Sequence, residues 1–386
     1  MVERIILFRT TKRILFGAGA VERIGSEVQL LKAKKVLIIT DPGVIQAGLL
    51  EDVKTSLQSI NIPFVIFDGV EPDPRIEVVE KSVQVAKKEG INLIIGLGGG
   101  SSLDIAKVTS ILMTNPGEID QFFGIDLVPN PGLPVILVPT TAGTGSEVTP
   151  ITILSDPKEK LKKGIVSPTL FPEVAIVDPK LTLGLPPSVT ALTGMDALTH
   201  AIEAYYSVNA TALTDLLALR AMELISKNIR MAFAHGENIV ARSNMMEGSL
   251  LAGIAFANAG VGAVHAFAYP LGGEFHLAHG LTNTLMLPYV MRYNILGCPS
   301  KFAQMAKAFG EKVEGLSELD GAEVAVKFVE RLSDDLRVPR RLRDVGIPEE
   351  AIPRLAEAAM KVTRLLANNP RKVTLEDAVA IYKSAY

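Results

Sequence analysis

The sequence predicts an α/β domain followed by an all-α domain. Three observations carry that prediction. Residues 1–185 alternate short β-branched apolar runs with amphipathic helical stretches. From Ser188 to Tyr386 the strand signal fades, and Ala, Leu, Met and Glu recur with helical periodicity. A turn-rich stretch, residues 179–187, separates the two patterns. At 386 residues, the chain is also longer than a single core usually serves. We therefore divide it into residues 1–185 and 186–386. Apolar strands alternating with helices imply a parallel sheet covered on both faces.

The elements follow in order. Val36-Leu37-Ile38-Ile39-Thr40-Asp41 reads as a buried strand that ends at a turn. Residues 44–60 read as a helix and 63–67 as a strand. Glu71-Pro72-Asp73-Pro74 is a turn, and residues 75–89 carry a helical stripe. Strands are expected at 92–96, 135–139 and 174–178, with a helix at 103–113. Residues 5–7, Ile5-Ile6-Leu7, read as an N-terminal strand available to an interface. No internal repeat, coiled-coil heptad or low-complexity tract interrupts the pattern.

Composition excludes several classes of function. Hydrophobic residues make up 48% of the chain and its net charge is −3, so no basic footprint points to nucleic acid. One cysteine, Cys298, excludes an internal disulfide framework and fits a reducing compartment. We read it as structural or incidental. The N-terminus lacks the apolar core of a signal peptide, and no apolar run reaches membrane-spanning length. The expectation is a soluble cytoplasmic protein without a membrane partner.

Two polar loops follow apolar strands. In Gly96-Leu97-Gly98-Gly99-Gly100-Ser101-Ser102, glycines let backbone N–H groups approach a phosphate, and the helix that opens there adds partial positive charge. It is not a Walker A loop, and Ser101 stands where the Gly-x-Gly-x-x-Gly order has its third glycine. A tight strand-to-helix turn without a ligand is the competing reading. Pro139-Thr140-Thr141-Ala142-Gly143-Thr144-Gly145-Ser146 offers a second loop, rich in hydroxyls. Ligands of open α/β sheets bind beyond the carboxyl ends of strands, so two such loops suggest a dinucleotide. Asp41 closes an earlier strand. Its carboxylate can accept from an adenosine ribose hydroxyl and repel a 2′-phosphate, favouring NAD over NADP. Asp41-Pro42-Gly43 also reads as an ordinary turn.

The second half holds a metal-ligand pattern. The chain has only five histidines. His200, His265 and His279 lie in an apolar, Gly-rich region together with Asp196. Asp196 and His200, four residues apart on an expected helix, project from one face. Imidazoles with a carboxylate suit Fe²⁺ or Zn²⁺, whereas Ca²⁺ and Mg²⁺ prefer oxygen shells. A buried, hydrogen-bonded histidine is the alternative for any one of them. A continuous helix from His265 to His279 would separate the two rings by ~21 Å. Pro270, Gly272 and Gly273 are expected to break that helix and let the chain fold back.

Together these stretches resemble the iron-containing (group III) alcohol dehydrogenase family. The likeness runs from Phe16-Gly17-Ala18-Gly19-Ala20 through residues 98–107, 139–149, Ser167-Pro168, Asp178-Pro179, 194–200 and 265–280 to Asn369-Pro370-Arg371. The resemblance implies an N-terminal Rossmann-like dinucleotide-binding domain and an all-α metal-binding, catalytic domain, a dehydroquinate-synthase-like architecture. It implies NAD as cofactor, and a divalent metal, usually iron and sometimes zinc, on Asp196, His200, His265 and His279. It places Gly98, Gly99, Gly100 and Ser101 on the pyrophosphate. It places Thr140, Thr141, Thr144 and Ser146 on the nicotinamide side, Lys162 near the nicotinamide ribose, and Asp41 at the acidic position that goes with NAD preference. It further implies a homodimer or higher homo-oligomer. The chain departs from the pattern at Tyr269, where many relatives carry a second histidine four residues after the one at His265. A proton step there falls to the Tyr269 hydroxyl or to nearby His276, unless Tyr269 only lines the pocket.

The expected chemistry is hydride transfer between a carbinol carbon and C4 of the nicotinamide, with the metal acting as Lewis acid on the alkoxide. Neither 181–219 nor 243–291, which hold all four ligand candidates, contains Lys or Arg. A multiply anionic substrate would want such groups. Small neutral primary alcohols, diols or aldehydes are therefore favoured. Phe256, Phe267 and Phe275 either line the pocket or belong to the core. The alternatives are a dehydroquinate-synthase-like NAD- and metal-dependent lyase, a metal-dependent hydrolase and a non-catalytic binding protein.

Overall fold

The structure, a computed structural model, describes residues 5–156 and 161–386. The chain forms two compact units, Thr10–Leu185 and Pro186–Tyr386, the second joined by the described residues up to Arg9. Arg9 N–H donates to Asn258 Oδ1 at 2.8 Å, and Asn258 Nδ2 donates back to Arg9 O at 2.9 Å. These bonds tie the first residues to the helical unit, whereas the sequence division groups them with the α/β domain. Residues 5–7 form no strand, and Ile5 and Leu7 are exposed, so the expected N-terminal strand is absent.

In the α/β unit, strands β1 (Arg13–Phe16), β2 (Val36–Ile39), β3 (Phe64–Phe67), β4 (Leu93–Gly98), β6 (Val135–Pro139) and β9 (Val174–Val177) form one sheet. Its order is β1-β9-β6-β4-β2-β3 and every pairing is parallel. Alternate residues serve opposite faces. Leu37, Ile39, Ile94 and Leu137 pack in one core with residues of α4 (Ile76–Glu89) and α5 (Gly100–Leu112). Val36, Ile38, Ile95 and Ile136 pack in the other with α1 (Ile24–Leu30) and α3 (Leu50–Ser59). Burial on both faces is why these strands read as continuous Val, Ile and Leu. The expected helix 44–60 is two helices, α2 (Pro42–Gln46) and α3, parted at Gly48, whose φ is +74°.

After β2 the chain goes outward to β3, then returns to β4 on the other side of β2. That reversal opens a crevice at the carboxyl ends of β2 and β4. Ile39 pairs with Gly96 and Gly98 with Pro139, so three consecutive strand ends lie side by side. A three-stranded sheet of β5 (Gly124–Ile125), β8 (Leu161–Val166) and β7 (Ile151–Asp156) was not anticipated. The alternating burial along β7 carries the period-2 signal, over six residues only.

The second unit is helical: α6 (Pro187–Tyr206), α7 (Ala212–Ala234), α8 (Ile239–Ala259), α9 (Ala263–Phe275), α10 (His279–Asn294), α11 (Pro299–Ala308), α12 (Glu318–Asp335), α13 (Ile352–Met360), α14 (Thr363–Leu366) and α15 (Leu375–Ala385). Helix α6 packs against α7, α8 and α10. A Cβ on Gly280, in the first turn of α10, would lie 2.4 Å from the carbonyl oxygen of Leu192 on α6. Only glycine allows that backbone approach, which sets the start of α10 against α6. No single helix among the described residues is long and apolar enough to cross a membrane.

Candidate active site

Three helices of the second unit bring four side chains to one point. Helix α6 contributes Asp196 and His200, α9 contributes His265, and α10 contributes His279 at its first residue. One potential ligand atom from each lies within 4.8 Å of all the others. Asp196 Oδ1 is 3.9 Å from His200 Nε2 and 3.8 Å from His279 Nε2. Ligands of a tetrahedral ion with ~2.1 Å bonds stand about 3.4 Å apart, so the set would close on one ion by contracting from separations of up to 4.8 Å. Asp196, His200 and His265 are buried, while His279 is half-buried and leaves that side accessible.

The surroundings fit a cation. Asn283, one turn after His279 on α10, directs Nδ2 at Asp196 Oδ1 (2.7 Å), His265 Nε2 (3.0 Å) and His279 Nε2 (3.2 Å). Acceptor atoms of three residues thus converge on one electron-poor group. Asn283 Oδ1 is buried and has no hydrogen-bond partner. Burial alone would raise the carboxyl pKa of Asp196. The neighbouring imidazoles of His200, His279 and His265, with the Asn283 hydrogen bond, outweigh it and hold that pKa below the ordinary value. Three imidazoles and one carboxylate form a donor set suited to Fe²⁺ or Zn²⁺.

The sequence reading missed Asn283 and Glu203. Glu203 is fully buried on α6 and hydrogen-bonds His265 Nδ1. The signal was helical spacing: 196, 200 and 203 share a face, as do 279 and 283. The route by which His265 meets His279 also differs from expectation. Pro270, Gly272 and Gly273 lie inside α9 without ending it. The chain turns instead at His276, whose φ is +55°. A proline costs a helix one hydrogen bond, and tertiary packing of the apolar α9 outweighs that loss here.

His276 is exposed at that turn, and among the described residues no hydrogen bond or ring contact joins it to the cluster. Its expected proton role has no geometric support. Tyr269 is half-buried, with its ring centroid 6.3 Å from that of His279. Phe256 stacks on His200 at 4.4 Å, and His200 stacks on His265 at 4.9 Å. Phe267 is core: it is fully buried edge-on to Tyr382.

The α/β unit gathers Asp41, the Gly98–Ser101 loop, Thr140, Thr141 and Thr144 at its carboxyl edge, whereas Lys162 lies on β8 of the small second sheet. Asp41 caps α2, accepting from Val44 N–H at 3.1 Å and from the Ser102 hydroxyl at 3.0 Å. Gly98, with φ +149°, lies so close that an added Cβ would meet Ser102 Oγ at 2.6 Å and Asp41 Oδ2 at 2.9 Å. Gly99 caps α5, and Gly100 and Ser101 open it with N–H groups facing outward along its axis. Thr140 N–H donates to Gly98 O at 3.0 Å, which joins the second loop to the first. Thr141 and Thr144 are half-buried along it.

Two expected contacts are otherwise engaged. The Ser146 hydroxyl donates to Asp104 Oδ1 at 2.6 Å. Lys162, on β8, pairs with Asp73 at 2.5 Å. Beneath the second loop, buried Lys107 donates to Ile151 O at 2.6 Å and lies 3.6 Å from Asp104. Burial pushes the neighbouring Glu147 carboxyl up to about 7.

Comparisons with known proteins agree along the whole chain. Residues 11–179 match the model of iron-containing alcohol dehydrogenases, and residues 190–386 match the C-terminal model of the same family. A 1,3-propanediol dehydrogenase of Citrobacter freundii is 44% identical over 373 residues, 96% of each chain. The crystal structure of a 1,3-propanediol oxidoreductase superposes with a TM-score of 0.97 at 42% identity, covering 99% of this chain and 100% of that one. A sulfoacetaldehyde reductase from Bifidobacterium kashiwanohense, solved with NAD⁺, superposes with a TM-score of 0.89 at 28% identity, covering 99% of each chain. By its sequence in both halves, and by the fold that carries it, the chain belongs to the iron-containing alcohol dehydrogenase family.

Proposed function

We propose that this protein is an NAD-linked alcohol dehydrogenase and aldehyde reductase for small neutral primary alcohols or diols, with a divalent metal held by Asp196, His200, His265 and His279. The observation that carries the proposal is the convergence of those four donors within 4.8 Å. A divalent ion there would supply Lewis-acid polarisation of the substrate oxygen. The chain's own residues do the rest. Phe256 covers His200 and keeps water from the buried side. The open side beside His279 admits substrate, and Tyr269, next to it, is the hydroxyl we assign to relay the substrate's proton, accepting it on Oη as its own O–H proton passes to solvent, and the reverse in reduction. In the α/β unit, Gly98, Gly99, Gly100 and Ser101 cradle the pyrophosphate of NAD, and Thr140, Thr141 and Thr144 serve its nicotinamide half. Asp41, beside Gly98, favours NAD over NADP because its charge opposes a 2′-phosphate. We extend the proposal to a cytoplasmic homo-oligomer.

Family membership alone leaves substrate charge open, since one relative is named for a diol and another for a sulfonated aldehyde. The absence of Lys and Arg from 181–219 and 243–291 supports a neutral substrate. It also disfavours the lyase alternative, whose anionic substrate would need cations near the ligands.

The test follows NADH absorbance with metal-stripped protein, adding Fe²⁺, Zn²⁺ or nothing. Propanediol and short alcohols are offered with NAD⁺ and NADP⁺, and sulfoacetaldehyde with the reduced cofactors. Metal-dependent turnover of the diols with NAD⁺ is expected. Equal turnover without metal, or none at all from protein that binds NAD⁺, would overturn the proposal.

A further inference from the structure

Glu203 is fully buried, and nothing in the chemistry proposed above uses it. It follows Asp196 and His200 on the same face of α6 and reaches across to α9. Its Oε2 hydrogen-bonds His265 Nδ1. Its Oε1 accepts from Val264 N–H at 2.7 Å and from the Tyr206 hydroxyl at 3.2 Å. Val264 lies in the first turn of α9, where orphan N–H groups and the helix dipole favour a carboxylate. The other nitrogen of the same ring, His265 Nε2, faces the Asn283 amide at 3.0 Å and is therefore the accepting nitrogen. One carboxylate thus settles both the position of α9's first turn and the tautomer of the histidine that this turn carries.

We propose that Glu203 is a positioning residue of the four-ligand centre. It holds His265 by Nδ1–H so that the Nε2 lone pair points at the space shared with Asp196, His200 and His279. Carboxylates that orient a ligating imidazole in this way are worth 10–100-fold in metal affinity. The proposal rests on the metal reading above, and its test separates the two.

Metal-stripped wild type, Glu203→Gln and His265→Ala are titrated with Co²⁺ against a chromophoric chelator, and the visible absorption of bound Co²⁺ is recorded. Glutamine keeps the size of Glu203 but not its charge. Expected are a ~10–100-fold weaker dissociation constant for Glu203→Gln, a shifted Co²⁺ spectrum, and a larger loss for His265→Ala. Circular dichroism and melting show whether each variant is folded. If Glu203→Gln does not fold, Glu203→Asp, which keeps the charge but shortens the reach, is read instead and is expected to bind Co²⁺ at least ~5-fold more weakly. A folded Glu203 variant that binds Co²⁺ within twofold of wild type, with an unchanged spectrum, overturns the proposal and leaves the metal reading intact. A wild type that binds no Co²⁺, or a His265→Ala protein that binds it as tightly as wild type, overturns both.

Discussion

The two units assemble their sites by opposite means. In the α/β unit, backbone does the work: three neighbouring strands end together, and small residues let main chain and loop approach closely at Gly98. In the helical unit, side chains do it: Asp196, His200, His265 and His279 come from three helices and meet only because those helices pack. Each piece of the backbone site is a contiguous loop motif at the end of a strand, and parallel pairing sets the pieces side by side. A side-chain site depends on contacts between residues far apart in sequence. The two should therefore fail separately, one losing cofactor and the other losing metal.

The largest effect should come from the side-chain site. Asp196→Ala or His265→Ala should lower kcat/KM by about 10³-fold or more, the scale of losing a Lewis acid, while NAD⁺ affinity measured by fluorescence stays within about twofold. Full activity in a metal-free variant would break the comparison at its strongest point. Next comes Gly98→Val. The added side chain meets Ser102 and Asp41 at a φ that favours glycine. NAD⁺ affinity should fall by roughly 100-fold, with metal content by atomic absorption unchanged.

Gly280→Ala sharpens the contrast. Here a glycine serves the helical site, because its Cβ would strike the Leu192 carbonyl and push His279 away from Asp196. Metal affinity should weaken by about 10-fold, with NAD⁺ binding unaffected. A variant that loses NAD⁺ and keeps metal would contradict this assignment.

The remaining effect is on stability rather than on either binding site, and lies beneath the second loop. Glu147 has its carboxyl pushed up to about 7 by burial, above the ordinary 4.5. Between about pH 4.5 and 7 the folded protein therefore holds a proton that the unfolded chain releases. Stability from this group is fully present below about pH 4.5 and is lost as pH rises through 7. The loss is at most about 3 kcal/mol. Glu147→Gln should flatten the fall in Tm between pH 5 and 8. An unchanged slope would show that Glu147 ionises freely in the native state.

Legibility followed the same division. Asp41, Gly98 and Thr140 lie at ends of strands whose Val, Ile and Leu runs announce them, and the structure sets them side by side. The four ligand candidates were readable as residue types, and Asp196 with His200 as a helical pair. The path between His265 and His279 was not. Pro270 and the two glycines suggested a break, but α9 runs through them to His276. Lys162 and Ser146 were placed by resemblance, and their bonds to Asp73 and Asp104 appear only in the fold.

By itself the sequence determined the alternation of the main parallel strands with helices and the change to an all-α second half, the residue types available for a metal and a dinucleotide, and the lack of Lys and Arg in the segments that hold the ligand candidates. Those properties are local, written in periods of 2 and 3.6 residues and in composition. Tertiary structure alone decided that Glu203 would hold His265, 62 residues away, and that Asn283 would face Asp196, 87 residues away. Such pairings are set by how α6, α9 and α10 pack, with Gly280 allowing α10 to approach α6. Helical periodicity specifies which face of each helix is presented, but not which partner that face meets.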